Sequence, residues 1–454
     1  MPTLESINPY NGESLASYET ISDEAVEAKI QTAHTAYLSW KNTSFQERKD
    51  LCYKLAAVMR EEQKELGEMQ THEMGMLYSS SYAWVESTAQ LIEWMADNAE
   101  VVLGEKPYES EGISWVEFYT PLGVIYGIGP WNFPFNQVLR AAVPNILAGN
   151  TTVYKHSSDV PMCAEKIEQL FLKAGFPEGV YQNLFIKSSQ SEYIISHQHI
   201  AGVNLTGWER AGSAVGSLAG KYIKPSILEL GWNDAWILLS HDDTEKYAKI
   251  AATCRITNGG QRCNGSKRFI VMEEHYDEFV KHFSEALADI KIWDPMDPST
   301  QLWPMANSGG ISDLERQVAE TLEQGWTLMT GWKSAGDRNQ FFEPTLFTDI
   351  TEDMTVWREE TFGPVCGVMK VKNTQEAIEM ANRSDFWLSA SVWWDDESEL
   401  RKASKQLDGG MIFINKMAGS KKNLPFGGVR KSGYGKENGP EGLKAFANKK
   451  IILY

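Results

Sequence analysis

The chain has 454 residues, and 43 Lys and Arg against 61 Asp and Glu give it a formal net charge of −18. Its composition, 42% hydrophobic and 23% charged, is that of a globular protein, and the length suggests two or three domains of roughly 150 residues. Such an acidic chain argues against nucleic acid or an anionic membrane as the main partner.

The N-terminus has no basic and apolar leader, and no apolar run approaches the roughly 18 residues of a membrane span. Five cysteines without CxxC spacing predict reduced thiols rather than a disulfide framework or a metal site. We therefore expect a cytoplasmic protein with no membrane segment and no bound metal.

In chain order, the first hundred residues read mostly as helix, with predicted helices over Ser22–Trp40, where Ser22 is the N-cap, and Ser44–Gln70. From about Ile113, short apolar runs alternate with helical stretches, which predicts a parallel sheet covered by helices. The pattern restarts after about Asp234 and predicts a second α/β domain. The C-terminal KKIILY reads as a last strand that pairs with another element or subunit. Further predicted helices cover Met162–Ala174, Glu209–Ala219, Thr244–Thr257 and Tyr276–Asp289.

A candidate nucleophile, Cys263, lies in the glycine-rich segment TNGGQRCNGSKR. Arg262, Lys267 and Arg268 surround it with positive charge, which lowers the pKa of a thiol and favours the reactive thiolate. On these residues alone, a small buried hydrophobic side chain is the competing interpretation.

Three further segments carry candidate functional groups. Glu229 ends the apolar strand of PSILELGW, where open α/β sheets bind ligands and where burial can make a carboxylate a usable base. Asn132, between the aromatics of GPWNFPFNQVLR, could donate to an oxyanion. NLTGWERAG, with Gly207 and Gly212, could place a phosphate at a helix N-terminus. Structural roles are the competing interpretations: Glu229 could be an N-cap or form an ion pair, and Asn132 could be a turn residue.

Taken together, these segments resemble the aldehyde dehydrogenase superfamily over essentially the whole chain. The matching stretches are PLGVIYGIGPWNFP, AGNTTVYKH, LTGxERAG, LELG, NGGQRC, REETFGPV and LPFGGVRKSGYGKE. The chain most resembles NAD(P)-dependent succinate-semialdehyde dehydrogenases whose cofactor loop reads K-H. This resemblance implies an α/β fold with a Rossmann-type cofactor domain (1–107 and 123–231), an α/β catalytic domain (232–430) and a small β oligomerisation element (108–122 and 440–454). It also implies a homodimer or homotetramer.

The resemblance assigns the chemistry to three residues. Cys263 forms a thiohemiacetal with the aldehyde, and the side chain of Asn132 and the backbone N–H of Cys263 hold the oxyanion. Hydride passes to NAD or NADP and leaves a thioester, and Glu229 activates the water that hydrolyses it. A cysteine nucleophile thereby splits one difficult transfer into two easier steps.

The same resemblance assigns the cofactor residues. Lys155 corresponds to the lysine on the adenosine ribose, Glu360 to the carboxylate on the nicotinamide ribose, Phe362 packs nearby, and Gly207 and the following helix bind the pyrophosphate. Ser158 stands where the family has a glutamate that grips the ribose hydroxyls. Because loss of that acid removes repulsion against a 2′-phosphate, we expect NADP as well as NAD. Without the resemblance to this family, the sequence would indicate only that Lys155 and Glu360 are ordinary surface charges.

For the substrate, the resemblance points to Arg140, eight residues after Asn132, as the group that binds a distal carboxylate. Arg255 and Arg262 are further candidates, because an anionic aldehyde requires a fixed cation. The alternative for Arg140 is an ion pair with one of the chain's many acids. We expect succinate semialdehyde as substrate, and glutarate semialdehyde stays open.

The 16 tryptophans nearly equal the 17 tyrosines and 18 phenylalanines. Several stand where the family has glycine, and Trp208 takes the place of a serine at the pyrophosphate helix. Glycine serves where φ is positive or where backbone approaches a ligand, and a β-carbon at a left-handed position costs about 1–2 kcal/mol. The glycine positions are those of Trp232, Trp293, Trp303, Trp332 and Trp387.

We hypothesise that UGA codons, read here as tryptophan, encode glycine in the source of this chain. If Trp208 and Trp232 are real, the alternative is a protein of the same fold with impaired or no dehydrogenase activity and a structural or binding role. A thioester hydrolase that uses only Cys263 and Glu229 is a third hypothesis, for which no residue gives specific support.

Overall fold

The computed structural model describes residues 2–240, 242–325, 327–338 and 340–454. Its first domain is built on a six-stranded sheet, in which five parallel strands are joined by a short antiparallel edge strand. In spatial order these strands are Gly433–Tyr434, Ser226–Glu229, Ile200–Thr206, Val124–Ile128, Thr151–Lys155 and Tyr181–Asn183. The strand–helix alternation that predicted a parallel sheet here is confirmed.

Helices cover this sheet, and the sequence sets where several of them begin. Ser22 caps the first helix by accepting a hydrogen bond from the N–H of Ala25 at 3.3 Å. The predicted helix Ser44–Gln70 is in fact two helices that meet at Glu62. The helices of this domain are Asp23–Trp40, Phe45–Glu61, Gln63–Met74, Tyr78–Leu103, Pro134–Ala148, Pro161–Lys173, Ser191–Ser196, Glu209–Lys221 and Gly439–Lys444, with a 3₁₀ turn at Ser188–Gln190.

The second domain has a seven-stranded sheet that is parallel except at the edge strand Thr327–Thr330. In spatial order its strands are Thr327–Thr330, Thr345–Thr348, Val365–Val371, Arg268–Met272, Ala235–Ser240, Ser389–Trp394 and Met411–Ile414. Its helices are Thr244–Ile256, Glu273–Ala288, Ser308–Glu323, Thr355–Arg358, Thr374–Asn382 and Glu397–Ser404, with a 3₁₀ turn at Thr257–Gly260. The restart of the pattern after about Asp234 therefore predicted a real second α/β domain.

A third, antiparallel sheet stands apart from both domains. Its strands are Lys106–Ser110, Ile113–Pro121 and Ala447–Leu453, and the last pairs with the middle one. The predicted C-terminal strand is thus confirmed. The sheet begins slightly before residue 108, and Gly439–Lys444 is a helix that packs on the first domain.

Two features were not expected from the sequence. The N-terminus, read as helical, starts with the strand pair Thr3–Ile7 and Ser14–Glu19. The chain also returns from the second domain to the first, because Gly433–Tyr434 pairs with Ser226–Glu229. Two-residue strand pairs join Ser334–Ala335 to Phe341–Phe342 and Phe386–Trp387 to Val429–Arg430. In the part of the chain described, no helix is both long and apolar enough to cross a membrane.

Candidate functional site

The loop that carries Cys263 has an unusual backbone. Asn258, Gly259 and Gly260 follow one another at φ of +56°, +62° and +72°. A β-carbon at Gly260 would overlap the carbonyl group of Gly363, so only glycine fits there. These glycines hold the Cys263 loop against the segment that contains Gly363.

Arg255 holds the same loop in place through hydrogen bonds to backbone carbonyls. Its fully buried guanidinium donates to the carbonyl oxygens of Ser266 and Gly260, both at 2.8 Å, of Thr361 at 3.2 Å and of Gly363. The expectation that Arg255 binds substrate is therefore wrong. Its Nη1 and Nη2 donate to backbone carbonyls, and none of its surface is exposed.

The thiol of Cys263 is 5% exposed. Burial raises its pKa to about 11, while the positive charges of Arg140, Lys267 and Arg262 act in the opposite direction. The thiol is therefore protonated at neutral pH in this closed state. Because three cations face it, entry of water or a polar ligand would favour the thiolate.

Asn132 reaches the Cys263 loop from the first domain. Its Nδ2 donates to the carbonyl oxygen of Gln261 at 3.0 Å, and its Oδ1 accepts from Nε2 of Gln137 at 2.7 Å. These two bonds fix the orientation of the amide. Since an amide nitrogen has two N–H donors, the second can serve a ligand oxygen beside Cys263.

Glu229 is fully buried, and neither carboxyl oxygen has a hydrogen-bond partner among the residues described. Burial raises its pKa well above the ordinary range and Glu437 raises it further, against the opposing charges of Arg140 and Lys436. The backbone of Gly427 covers the carboxyl, since a β-carbon there would lie 2.6 Å from Oε1. A buried, unpaired carboxyl with a strongly raised pKa is typical of a general acid or base.

A cavity of about 210 Å³ opens beside Asn132 on the first domain. A second cavity of about 590 Å³ shares several of its walls, so the two form one elongated cleft. Five residues predicted to contact a cofactor line the first cavity: Lys155, Gly207, Trp208, Glu360 and Phe362.

The polar groups of this cleft fit a dinucleotide. Glu360 is almost fully buried, and its Oε1 lies 3.2 Å from the ammonium of Lys267. Lys155 donates only to the carbonyl oxygen of its neighbour His156 within that part, at 3.1 Å. The helix Glu209–Lys221 begins at the cavity wall, and a helix N-terminus attracts phosphate.

The model of the aldehyde dehydrogenase family matches residues 2–452. The chain belongs to the aldehyde dehydrogenase family. It is 37% identical over 447 residues to a succinate-semialdehyde dehydrogenase [NADP(+)] of Deinococcus radiodurans, an alignment covering 98% of this chain and 94% of that one. A succinate-semialdehyde dehydrogenase [NADP(+)] 1 of Mycobacterium bovis is 36% identical over 452 residues, covering 99% of both.

Solved structures agree with this assignment. The succinic semialdehyde dehydrogenase of Streptococcus pyogenes in complex with NADP⁺ has a TM-score of 0.96 to this chain at 34% identity, covering 99% of both chains. The family and the α/β fold inferred from the sequence motifs are confirmed. The relatives give no support to the alternative of a non-enzymatic protein.

Two residues predicted to contact the cofactor of this aldehyde dehydrogenase, Ser158 and Gly212, line neither of the two cavities. Ser158 is exposed and lines neither cavity, whereas its neighbour Ser157 lines both. A β-carbon at Gly212 would overlap the side chain of Leu230, so this glycine permits helix–strand packing, and Ala211 faces the cavity instead. The cofactor contacts of Ser158 and Gly212 therefore stay predictions, while their neighbours Ser157 and Ala211 line the cavity.

The structure shows the ion pair that was the alternative for Arg140, and binding of a substrate carboxylate stays a prediction. Arg140 is 3% exposed, and its Nε pairs with Oε2 of Glu437 at 2.6 Å. The guanidinium also lies 4.4 Å from the ring centroid of Phe426. Its Nη2, however, is buried without a hydrogen-bond partner among the described residues. One edge of Arg140 is therefore held by an acid, and a donor is left for another anion.

Arg262 is half-buried beside the thiol. Its Nη2 donates to Oδ1 of Asn264 at 3.0 Å and to the carbonyl oxygen of Ala418 at 3.3 Å. Unlike Arg255, this guanidinium is not enclosed by backbone carbonyls and stays a candidate for contact with substrate. Sequence reasoning gave no role to Glu437, although the motif GYGKE contains it.

Trp232 lies between the cleft and the thiol. Its indole lines the 210 Å³ cavity and also packs in one buried cluster with Cys263, Leu388 and Phe426. Its Nε1 has no hydrogen-bond partner in the described part of the protein. Trp208 stands at the mouth of the cleft, with its ring centroid 5.2 Å from that of Phe362 in an edge-on contact.

Among the other unusual tryptophans, one has a backbone conformation suited to glycine. Trp332 has φ of +109°, a conformation that β-carbons disfavour. Trp303 and Trp387 are buried, and their indole N–H groups find no partner among the residues described. Trp293 is exposed.

Proposed function

We propose that this aldehyde dehydrogenase oxidises succinate semialdehyde to succinate with NADP or NAD. The observation that carries the proposal is that Asn132 lines the cleft and hydrogen-bonds the Cys263 loop, while Cys263 and Glu229, from two other segments, both interact with the charge of Arg140. The names of the curated relatives support the substrate and NADP.

In the proposed reaction, Cys263 attacks the aldehyde carbon and forms a thiohemiacetal. The free N–H of Asn132 and the backbone N–H of Cys263 donate to the developing oxyanion. The cofactor, when bound, accepts the hydride that converts this adduct to a thioester. Glu229 then takes a proton from the water that hydrolyses the thioester, which requires its carboxylate form.

The cleft supplies the groups that would hold the cofactor. We assign the nicotinamide ribose to Glu360, the adenosine ribose to Lys155 with Ser157, and the pyrophosphate to the helix that starts at Glu209. Because Ser157 and Ser158 carry no charge, this part of the loop does not repel a 2′-phosphate, which supports NADP alongside NAD.

The distal carboxylate of the substrate would bind Arg140 through its free Nη2, with Arg262 as a second cation. Arg140 also acts electrostatically on Cys263 and Glu229. A carboxylate held there would place the other end of a four-carbon aldehyde at the thiol.

We further propose that the enzyme is a homodimer or homotetramer in the cytoplasm. The strand Ala447–Leu453 is an edge strand of the third sheet; Ile451 and Leu453 on it are 60% and 66% exposed, and Tyr454 after it is 80% exposed. An exposed apolar edge strand of this kind favours pairing with another subunit. All five cysteines are free, which fits a reducing compartment. A monomer in analytical ultracentrifugation would contradict the oligomer.

The test of the proposed function follows NAD(P)H formation at 340 nm with succinate semialdehyde, glutarate semialdehyde and butanal. Cys263→Ala should abolish oxidation, and Cys366→Ala, which removes another buried thiol, is the matched control. Full activity of Cys263→Ala, or a preference for butanal in the unmodified enzyme, would refute the proposal.

A further inference from the structure

Lys267 is a fully buried lysine to which the proposed reaction gives no role. Its Nζ donates to the carbonyl oxygens of Cys263 at 2.8 Å and Arg262 at 3.0 Å, and lies 3.2 Å from Oε1 of Glu360. A buried ammonium is tolerated only when it is paired and hydrogen-bonded. Here its partners belong to the nucleophile loop and to the carboxylate proposed to hold the cofactor.

A second acid supports this arrangement. The backbone N–H of Lys267 donates to the carbonyl oxygen of Asp234 at 3.0 Å, and the carboxylate of Asp234 is held by the hydroxyl of Ser389 at 2.6 Å. Burial lowers the pKa of Lys267, while the negative charges of Glu360 and Asp234 oppose that shift. In return, Lys267 opposes the rise that burial causes in the pKa of Glu360.

We propose that Lys267 is a positioning residue that holds the nucleophile loop and the cofactor carboxylate in a fixed relation through one ammonium group. The inference rests on the proposed function in one respect, that Glu360 contacts the cofactor. The positive charge keeps Glu360 ionised, so that it accepts charge-assisted hydrogen bonds from ribose hydroxyls. The two carbonyl contacts hold the backbone of the Cys263 loop close to Glu360.

The first test measures NADP binding to the purified enzyme by calorimetry, without substrate. Lys267→Met should weaken binding about tenfold at pH 7. The loss should shrink as pH rises, because without the charge of Lys267 the pKa of Glu360 rises further and its carboxyl ionises only at higher pH. The charged groups acting on Glu360 are Lys267, Arg255 and Asp234. The unmodified enzyme should show no such trend, and Lys267→Arg should retain most of the affinity.

Arg268→Met is the matched control. Arg268 is the next residue and equally buried, but it donates to the carbonyl oxygens of Asn233, Met380 and Ala381, outside the contacts of Lys267. Arg268→Met should be less stable than the unmodified enzyme. Its affinity for NADP should be unchanged and should show no trend with pH. An equal, pH-dependent loss of affinity in Arg268→Met would overturn the proposal, as would native affinity in Lys267→Met.

A second test measures the effect of Lys267 on the Cys263 thiol in the absence of cofactor. The rate of alkylation of Cys263 by iodoacetamide is measured by peptide mass spectrometry over a range of pH. In Lys267→Gln, which is neutral but can still donate to the two carbonyls, this pH profile should shift to higher pH. The other cations acting on this thiol, Arg140 and Arg262, are unchanged. If the unmodified enzyme binds neither NADP nor NAD, the proposed function fails. An unchanged alkylation profile would overturn the role of Lys267 instead.

Discussion

The buried group of Cys263, Glu229 and Arg140, called the chamber below, differs from the cofactor cleft in how deeply its functional groups are buried. In the chamber, Cys263, Glu229 and Arg140 are at most 5% exposed, and burial raises the pKa of both the thiol and the carboxyl. In the cleft, Lys155 and Phe362 are only partly buried.

This contrast separates chemistry from binding. The chamber is assembled from three segments that mutually restrain one another, so a substitution there should change the rate of a chemical step. The cleft has less deeply buried groups that a ligand can contact, so a substitution there should change affinity. The predictions below are ordered by the size of the effect expected from that distinction.

The largest effect is expected for Glu229→Gln. Loss of a general base costs about 10²- to 10⁴-fold, and here only hydrolysis of the thioester should suffer. We expect a burst of NAD(P)H close to one equivalent per site in stopped flow, followed by slow turnover. Equal loss of the burst and of the steady state would show that Glu229 is not the deacylating base.

A smaller effect is expected for Arg140→Ala, measured as kcat/KM for succinate semialdehyde against butanal. A charge-assisted hydrogen bond to the substrate carboxylate is worth about 1.5–3 kcal/mol, or roughly tenfold to a hundredfold. Butanal, which has no carboxylate, should be nearly unaffected. If both aldehydes suffer equally, the pairing of Arg140 with Glu437 is its only role and the substrate class is open again.

The pH dependence should follow from the raised pKa of two chamber groups. Since the Cys263 thiol loses its proton only in alkali, kcat/KM should rise from pH 6 to pH 9, and kcat should rise as well because Glu229 must be ionised for hydrolysis of the thioester. The affinity for NADP, measured by calorimetry, should stay flat over the same range. An activity profile that falls with pH would contradict the assignment of both groups.

The boundary between the two regions is tested by Trp232→Gly. Removing the indole opens the cleft towards the thiol, so we expect about a tenfold faster alkylation of Cys263 and a matching gain in turnover. Trp293→Gly, at an exposed position, is the control and should change neither. Equal alkylation rates in Trp232→Gly and the unmodified protein would show that the indole does not separate the two regions.

Peptide mass spectrometry of the protein from its source tests the codon hypothesis directly. Glycine is expected at positions 232, 293, 303, 332 and 387, and the positive φ of Trp332 supports this expectation. Tryptophan at positions 232, 293 and 303 in native peptides would end that hypothesis.

The sequence by itself determined the two α/β domains, the cap at Ser22, the last strand and the family. These features depend on local patterns and on motifs around Cys263, Glu229 and Asn132. The N-terminal strand pair was missed, since two short strands of mixed burial give little periodic signal. The same reasoning could not choose between Ser157 and Ser158, because neighbouring side chains of one loop point in different directions.

Only the tertiary structure decided which charges belong to the site. Arg255, Arg262 and Lys267 look alike in sequence, yet the first clamps a loop, the second stays half-buried and the third links two parts of the site. Glu437 became relevant because the chain returns to the first domain and brings it to Arg140. Long-range pairing of this kind depends on distances between residues almost 300 positions apart, which no local pattern encodes.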